Sequence, residues 1–166
     1  MSMLDDPVPD RFYPEFYPRF SYEPTRERFE IIQTSEKGEG IISQASFRPG
    51  EIVFKFAGVL LSEITLYTLQ MKPGSHLHDP FFMGKVLHSC DPNMSCDMDT
   101  QTFTAIKEIK PGDFLTMDYE TTEDELFRSF ECSCGAPNCK KLIRGKLFRL
   151  QHMQEASDLQ YAVAGT

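Results

Sequence analysis

The sequence predicts a mostly β fold of several small sheets with few helices. Two observations carry this. Short runs rich in β-branched and aromatic residues recur along the chain, and turns containing Gly or Pro separate them every few residues. Apolar residues at helical spacing are confined to Ser62–Met71 and residues 145–164. The 166 residues are 40% hydrophobic and 12% aromatic, which suits one domain with a packed core rather than a disordered chain.

The elements read in order as follows. Residues 7–24 hold five of the eleven prolines, and "FYPEFYPRF" places an aromatic pair before each of two of them. Proline at this spacing excludes a helix, so an extended arm is expected, packed on its own domain or docked on a partner. "RFEIIQT" (Arg28–Thr34) reads as a strand, "EKGEG" as a turn, and "IISQASF" as a further extended stretch. After the turn "RPGE", "IVFKFAGVLL" reads as one strand. Ser62–Met71 reads as a helix with Ser62 as its N-cap, and "KPGSHLHDP" as a loop. "TQTFTAIKEI" and "DFLTMDY" read as strands joined by the turn "KPGD". Residues 145–164 read as a C-terminal helix with apolar Leu147, Phe148, Leu150, Met153, Leu159 and Tyr161.

Composition narrows the function. Formal net charge is −8 and the pI is near 5.0, which disfavours direct nucleic-acid binding and suits a basic, lysine-containing protein or peptide as partner. No apolar run approaches the roughly 20 residues of a membrane span. "MSMLDDPVPD" lacks the pattern of a secretory signal, so an intracellular location, cytoplasmic or nuclear, is expected. Clustered cysteines there more often bind metal or do chemistry than form disulfides.

Two clusters carry the chemistry. "CSCGAPNC" places Cys132, Cys134 and Cys139 around a Gly-Ala-Pro-Asn turn. Structural zinc is tetrahedral and takes four ligands, so a fourth must come from elsewhere: Cys90 or Cys96 in "LHSCDPNMSC".

"HSCDPN", "LTMDY" and "CSCGAPNC" in this order resemble the SET-domain protein-lysine methyltransferases with a post-SET zinc segment. "KGEG" and "FAGVLLSE" resemble that family's early turn and the strand end that follows it, and the likeness covers roughly residues 28–146. The resemblance implies a SET-domain β-fold with a C-terminal zinc-binding segment and a terminal helix. The expected divisions are an N-terminal arm (1–27), a SET domain (28–127), a post-SET zinc segment (128–146) and a C-terminal helix (147–166), a minimal protein of its kind. It implies zinc on Cys90, Cys132, Cys134 and Cys139, leaving Cys96 over. It implies S-adenosylmethionine as methyl donor. Main-chain groups of Lys37, Gly38 and Glu39 would cradle its methionine part and the backbone of His88 would pair with adenine. Leu142, with Ile143, would cover it. Tyr119 takes the catalytic position. The physical demands agree: a sulfonium donor needs a neutral amine held in line with the methyl carbon, and an apolar, aromatic channel lowers a lysine's pKa.

Three positions depart from the pattern. Leu87 stands where the family has an Asn on the cofactor. "GKV" replaces an Arg-Phe-Ile lead-in, and Met117 replaces an aromatic residue. Two other readings follow: a SET fold without turnover, acting as a zinc-stabilised binding module, and methylation of a small amine or free amino acid.

Overall fold

A computed structural model describes residues 10–151, 153 and 154. Among these residues, twelve short strands form five small sheets. Strands β1 (Phe29–Gln33) and β2 (Glu39–Ser43) form an antiparallel hairpin. β3 (Ile52–Lys55) pairs with β9 (Thr102–Ala105), which pairs with β8 (Met94–Asp97). β4 (Val59–Leu61), β5 (Thr68–Lys72) and β6 (Ser75–His78) form a sheet with β6 at its centre. β7 (Leu87–His88) runs parallel to β10 (Thr116–Met117), and β11 (Phe130–Glu131) is antiparallel to β12 (Leu142–Ile143).

No sheet is large enough to close a core alone, so aromatic rings from several sheets meet in the middle. Phe54 stacks on Phe103 at 4.7 Å and meets Phe82 edge-on at 4.8 Å, and Phe29 packs against Phe47, Phe54 and Phe82. Each such ring buries roughly 150–250 Å², so this cluster is the main apolar contribution holding the sheets together.

Two stretches differ from the sequence expectation. Ser62–Met71 is not a helix: its second half is β5, and "KPGSHLHDP" supplies the turn and β6 of a hairpin. The deciding residues are Pro73 and Gly74. Proline fixes φ at the first turn position and Gly74 takes φ +79° at the second, so Lys72 faces Ser75 across a two-residue turn. The apolar spacing upstream was too short to separate helix from strand. The stretch "IVFKFAGVLL" is two strands, broken at Phe56–Gly58. There the backbone passes so close to β6 that a Cβ on Gly58 would lie 2.5 Å from the His78 carbonyl. "DFLTMDY" keeps only Thr116–Met117 as a strand, with Phe114 bridging Ile42.

The described part of the N-terminal arm, residues 10–27, packs into the core. Phe12 and Tyr13 are buried, whereas Phe16 is exposed. The Tyr13 hydroxyl donates to Asp79 Oδ2 at 2.7 Å, and Asp79 also accepts the N–H groups of Phe81, Phe82 and Met83. The buried Arg11 pairs with Glu23 at 2.6 and 2.8 Å and donates to the Tyr17 carbonyl at 2.9 Å. A helix begins at residue 146, and its apolar Leu147, Leu150 and Met153 face solvent among the described residues; Leu159 and Tyr161 lie outside them. No helix among the described residues is long and apolar enough to cross a membrane.

Candidate active site and metal centre

The turn after β1 is built by Thr34. Its hydroxyl accepts the Lys37 N–H at 2.9 Å and donates to the Gly38 carbonyl at 2.6 Å, while its N–H donates to the same carbonyl at 2.8 Å. Gly38 takes φ +72°, which a side chain would strain. The Lys37 N–H and Gly38 carbonyl are therefore engaged inside the turn. The Gly38 N–H and Lys37 carbonyl make no bond among the described residues.

This turn forms one wall of a cleft of about 790 Å³. Leu87, His88, Met117 and Tyr119 line the same cleft, brought there by the parallel β7–β10 pair. The Ser89 N–H donates to the Met117 carbonyl at 2.9 Å. In a parallel ladder the N–H and C=O of His88 then point away from β10. No third strand pairs on that edge among the described residues.

Tyr119 sits between His88 and Phe130, with ring centroids 5.1 and 6.1 Å away. Its hydroxyl donates to the Val86 carbonyl at 2.6 Å. Burial raises its pKa, and the charge of Glu123 adds to this, so the phenol stays protonated. His88 is lowered to about 4, chiefly by burial, while Asp118 opposes the shift and Lys140 adds to it. Its ring is neutral at neutral pH.

Leu87 lines the cleft but turns its side chain onto β2. A Cβ on Gly40 would meet Leu87 Cδ1 at 2.9 Å, so the absence of a side chain at Gly40 makes room for Leu87. Beside it, Lys85 Nζ pairs with Glu39 Oε2 at 3.0 Å, joining the two walls.

The sulfur atoms of Cys90, Cys132, Cys134 and Cys139 all lie within 4.8 Å of one another. Cys90 and Cys132 stand 3.9 Å apart. Four thiolates bound tetrahedrally at about 2.3 Å would be about 3.8 Å apart, so this donor set fits zinc. Cys96 is elsewhere, in β8, with its sulfur against Met98. Burial pushes the Cys132 thiol up to about 12, and the Ala136 backbone N–H leads in pulling Cys134 down to about 6. A bound cation would hold all four as thiolates. The Lys140 N–H donates to Cys90 Sγ at 3.3 Å and Asn138 Nδ2 to the Cys90 carbonyl at 3.0 Å.

A set of ion pairs ties the same tail to Tyr119. Asp118 and Glu120 flank it, and Lys140 Nζ reaches both, at 2.7 and 3.0 Å. Arg149 Nε and the Gly145 N–H also meet Glu120, at 3.1 and 3.2 Å. Burial works to raise the Glu120 pKa, but these partners outweigh it and hold the carboxylate low.

Leu142 departs from its expected place. It is 39% exposed and outside the cleft lining, although its partner across β11–β12, Glu131, is part of that lining. Phe130, next to Glu131 in β11, also lines the cleft. Sequence reasoning missed Phe130, although an aromatic residue two positions before Cys132 was a visible signal. It also missed Glu123, whose significance depends on burial.

The SET domain profile matches residues 38–120, half of the chain. Methyltransferase flvH of Aspergillus flavus is 34% identical over 100 residues, covering 54% of this chain and 56% of that protein. The H3 lysine-36-specific histone-lysine N-methyltransferase of Candida albicans is 26% identical over 143 residues, 72% of this chain and 17% of that one. The chain thus spans little more than half, or much less, of the length of these relatives. KRYPTONITE, solved with mCHG DNA and SAH, superposes with a TM-score of 0.58 at 24% identity, over 75% of this chain and 30% of that chain. Arabidopsis thaliana SUVH6, solved with SAM, gives 0.57 at 20% identity, over 69% and 32%. With its profile, its fold of small sheets and its motifs in one cleft, this chain belongs to the SET-domain family.

Proposed function

We propose that the chain is an S-adenosylmethionine-dependent methyltransferase acting on the lysine side-chain amine of a basic protein or peptide. The observation that carries this reading is the placement of Tyr119. Its hydroxyl lies on the Val86 carbonyl inside the cleft whose walls are the Lys37–Glu39 turn and the strand edge at His88 that no further strand pairs among the described residues. Family membership and the named activity of the Candida albicans relative support it.

S-adenosylmethionine would supply an electrophilic methyl group on a sulfonium. The residues present fit it. The Gly38 N–H and Lys37 carbonyl are available to its amino-acid end, with Glu39 beside them. The N–H and C=O of His88 match the donor–acceptor edge of an adenine. Leu87 and Phe130 offer apolar cover. Tyr119, kept protonated by burial, orients the incoming amine together with the Val86 carbonyl. Zinc on the four cysteines would fix the tail that carries Phe130 against the cleft. We propose that the protein acts in the nucleus or the cytoplasm.

The test is calorimetric titration with S-adenosylmethionine, followed by transfer of labelled methyl groups to a histone mixture. Binding, with transfer that Tyr119→Phe lowers on the order of 10²-fold, is the expected result. A natural chain that neither binds the donor nor transfers methyl groups would sink the proposal.

A further inference from the structure

Among the acidic residues that line the cleft, Glu123 is the buried one, and the reading above leaves it without a role. It is 3% exposed yet lines the cleft, four residues after Tyr119, whose carbonyl accepts its N–H at 2.9 Å. Its carboxylate is held in a rigid frame. The Gln70 N–H of β5 donates to Oε2 at 2.8 Å. The Gln70 amide is itself clamped to Asp124, donating to Oδ2 at 2.7 Å and accepting the Asp124 N–H at 2.9 Å. The Glu123 carbonyl accepts the Lys146 N–H at 2.7 Å at the start of the terminal helix.

What this carboxylate lacks is a cation. The ion pairs formed among the described residues do not include it. Lys146, whose N–H meets the Glu123 carbonyl, places its ammonium on Asp124 at 3.7 Å. The charged and titratable groups facing Glu123 are Asp124 and Lys146, the Tyr119 phenol and the Cys96 thiol of β8. Burying a carboxylate without a counter-ion costs stability. A protein retains such a group where an incoming ligand supplies the missing charge.

We infer that Glu123 receives the ammonium group of the substrate lysine in the cleft and accepts a proton from it. The step balances: a lysine ammonium and a carboxylate become a neutral amine and a carboxylic acid. The amine lone pair then forms the bond to the methyl carbon as the carbon–sulfur bond breaks. Desolvation favours this exchange, because burial raises a carboxylate's pKa and lowers an amine's, bringing the two together. Burial already lifts Glu123 to about 7, against the opposing Gln70 N–H.

The inference rests on the methyltransferase reading, and the experiment separates the two. Methyl transfer from labelled S-adenosylmethionine to an unmodified histone H3 peptide is followed as a function of pH for the natural chain, Glu123→Gln and Glu123→Asp. Donor binding is titrated in parallel. Glutamine keeps the acceptor for Gln70 and removes the charge. The expected result is a loss in kcat/KM on the order of 10²-fold for Glu123→Gln, disappearance of the acid limb of the pH profile, partial rescue by Asp, and unchanged donor affinity. The same peptide with norleucine in place of lysine should bind the natural chain and Glu123→Gln equally. Transfer by Glu123→Gln at the natural rate, with the same pH profile, overturns the inference and leaves the methyltransferase reading standing. A natural chain that neither binds the donor nor transfers methyl groups overturns both.

Discussion

The backbone N–H of Tyr119 donates to Nδ1 of His88 at 3.0 Å. With Nδ1 engaged as an acceptor, the neutral ring carries its proton on Nε2, which lies 3.4 Å from Cys90 Sγ. One imidazole thus joins the candidate reactive tyrosine to the sulfur cluster. A hydrogen bond to a ligating thiolate steadies both the ligand and its orientation.

The sulfur cluster should hold about one equivalent of zinc per chain, by the four-ligand argument. Cys90→Ser should lose the metal and expose residues beyond 130 to proteolysis and hydrogen exchange. Cys96→Ser should retain it, because Cys96 is in β8 against Met98. Metal analysis and exchange mass spectrometry read both outcomes. Loss of zinc from the Cys96 variant alone would contradict the cluster.

Tyr119→Phe should lower turnover on the order of 10²-fold. It also leaves the buried Val86 carbonyl without its 2.6 Å donor. A cost of about 1–3 kcal/mol in denaturant unfolding is therefore expected. Stability loss without loss of turnover would remove the hydroxyl from the chemistry.

Leu87→Asn should improve donor affinity by less than about tenfold, or 1.4 kcal/mol. The Leu87 side chain packs onto Gly40, whose other close neighbour is the Phe114 ring, an apolar setting for an amide. Thermal unfolding should fall with the substitution, by about 2–3 kcal/mol for the lost apolar packing. Recovery of binding only in the Asn variant would instead mark the natural chain as a binding module.

Glu123 predicts an unusual pH dependence of stability. Its folded pKa, about 7, is above its ordinary value of 4.5, so the folded state binds the extra proton. Its favourable contribution is present below pH 4.5 and is lost as pH rises through 7. One pKa unit is worth about 1.36 kcal/mol, so the loss is on the order of 3 kcal/mol. Glu123→Gln should raise Tm at pH 8 by several degrees and change it little near pH 4.5. Equal Tm shifts at both pH values would show that the carboxylate is not desolvated.

Tyr13→Phe tests the arm. It deletes the 2.7 Å bond to the buried Asp79 carboxylate, a charge-assisted contact whose removal should cost about 1.5–3 kcal/mol. Unchanged unfolding would show that the Tyr13–Asp79 bond adds nothing to the fold.

Much of the site could be read in the sequence because its signals are local. Three cysteines within eight residues specify three donors of one site whatever path the chain takes, while the choice of Cys90 over Cys96 as the fourth came from the resemblance and from the fold that brings it there. A Pro-Gly or Lys-Gly turn likewise follows from the φ values those residues allow, and β1, β9 and the turns around Gly50 and Gly112 lie where they were expected. What tertiary structure alone decided is which face each residue presents and who pays for its burial. Leu142 and Phe130 are near neighbours of the same cysteine run, yet Phe130 lines the cleft and Leu142 faces solvent. Leu87 has its place because Gly40, forty-seven residues earlier, leaves a space. Ser62–Met71 carried helical spacing, yet a turn beyond its end drew it into a hairpin. Glu123 looked like any surface acid, and only the closure of β5 and residue 146 around it removed its water. Burial and pairing depend on segments far apart in the chain, so no local pattern can encode them.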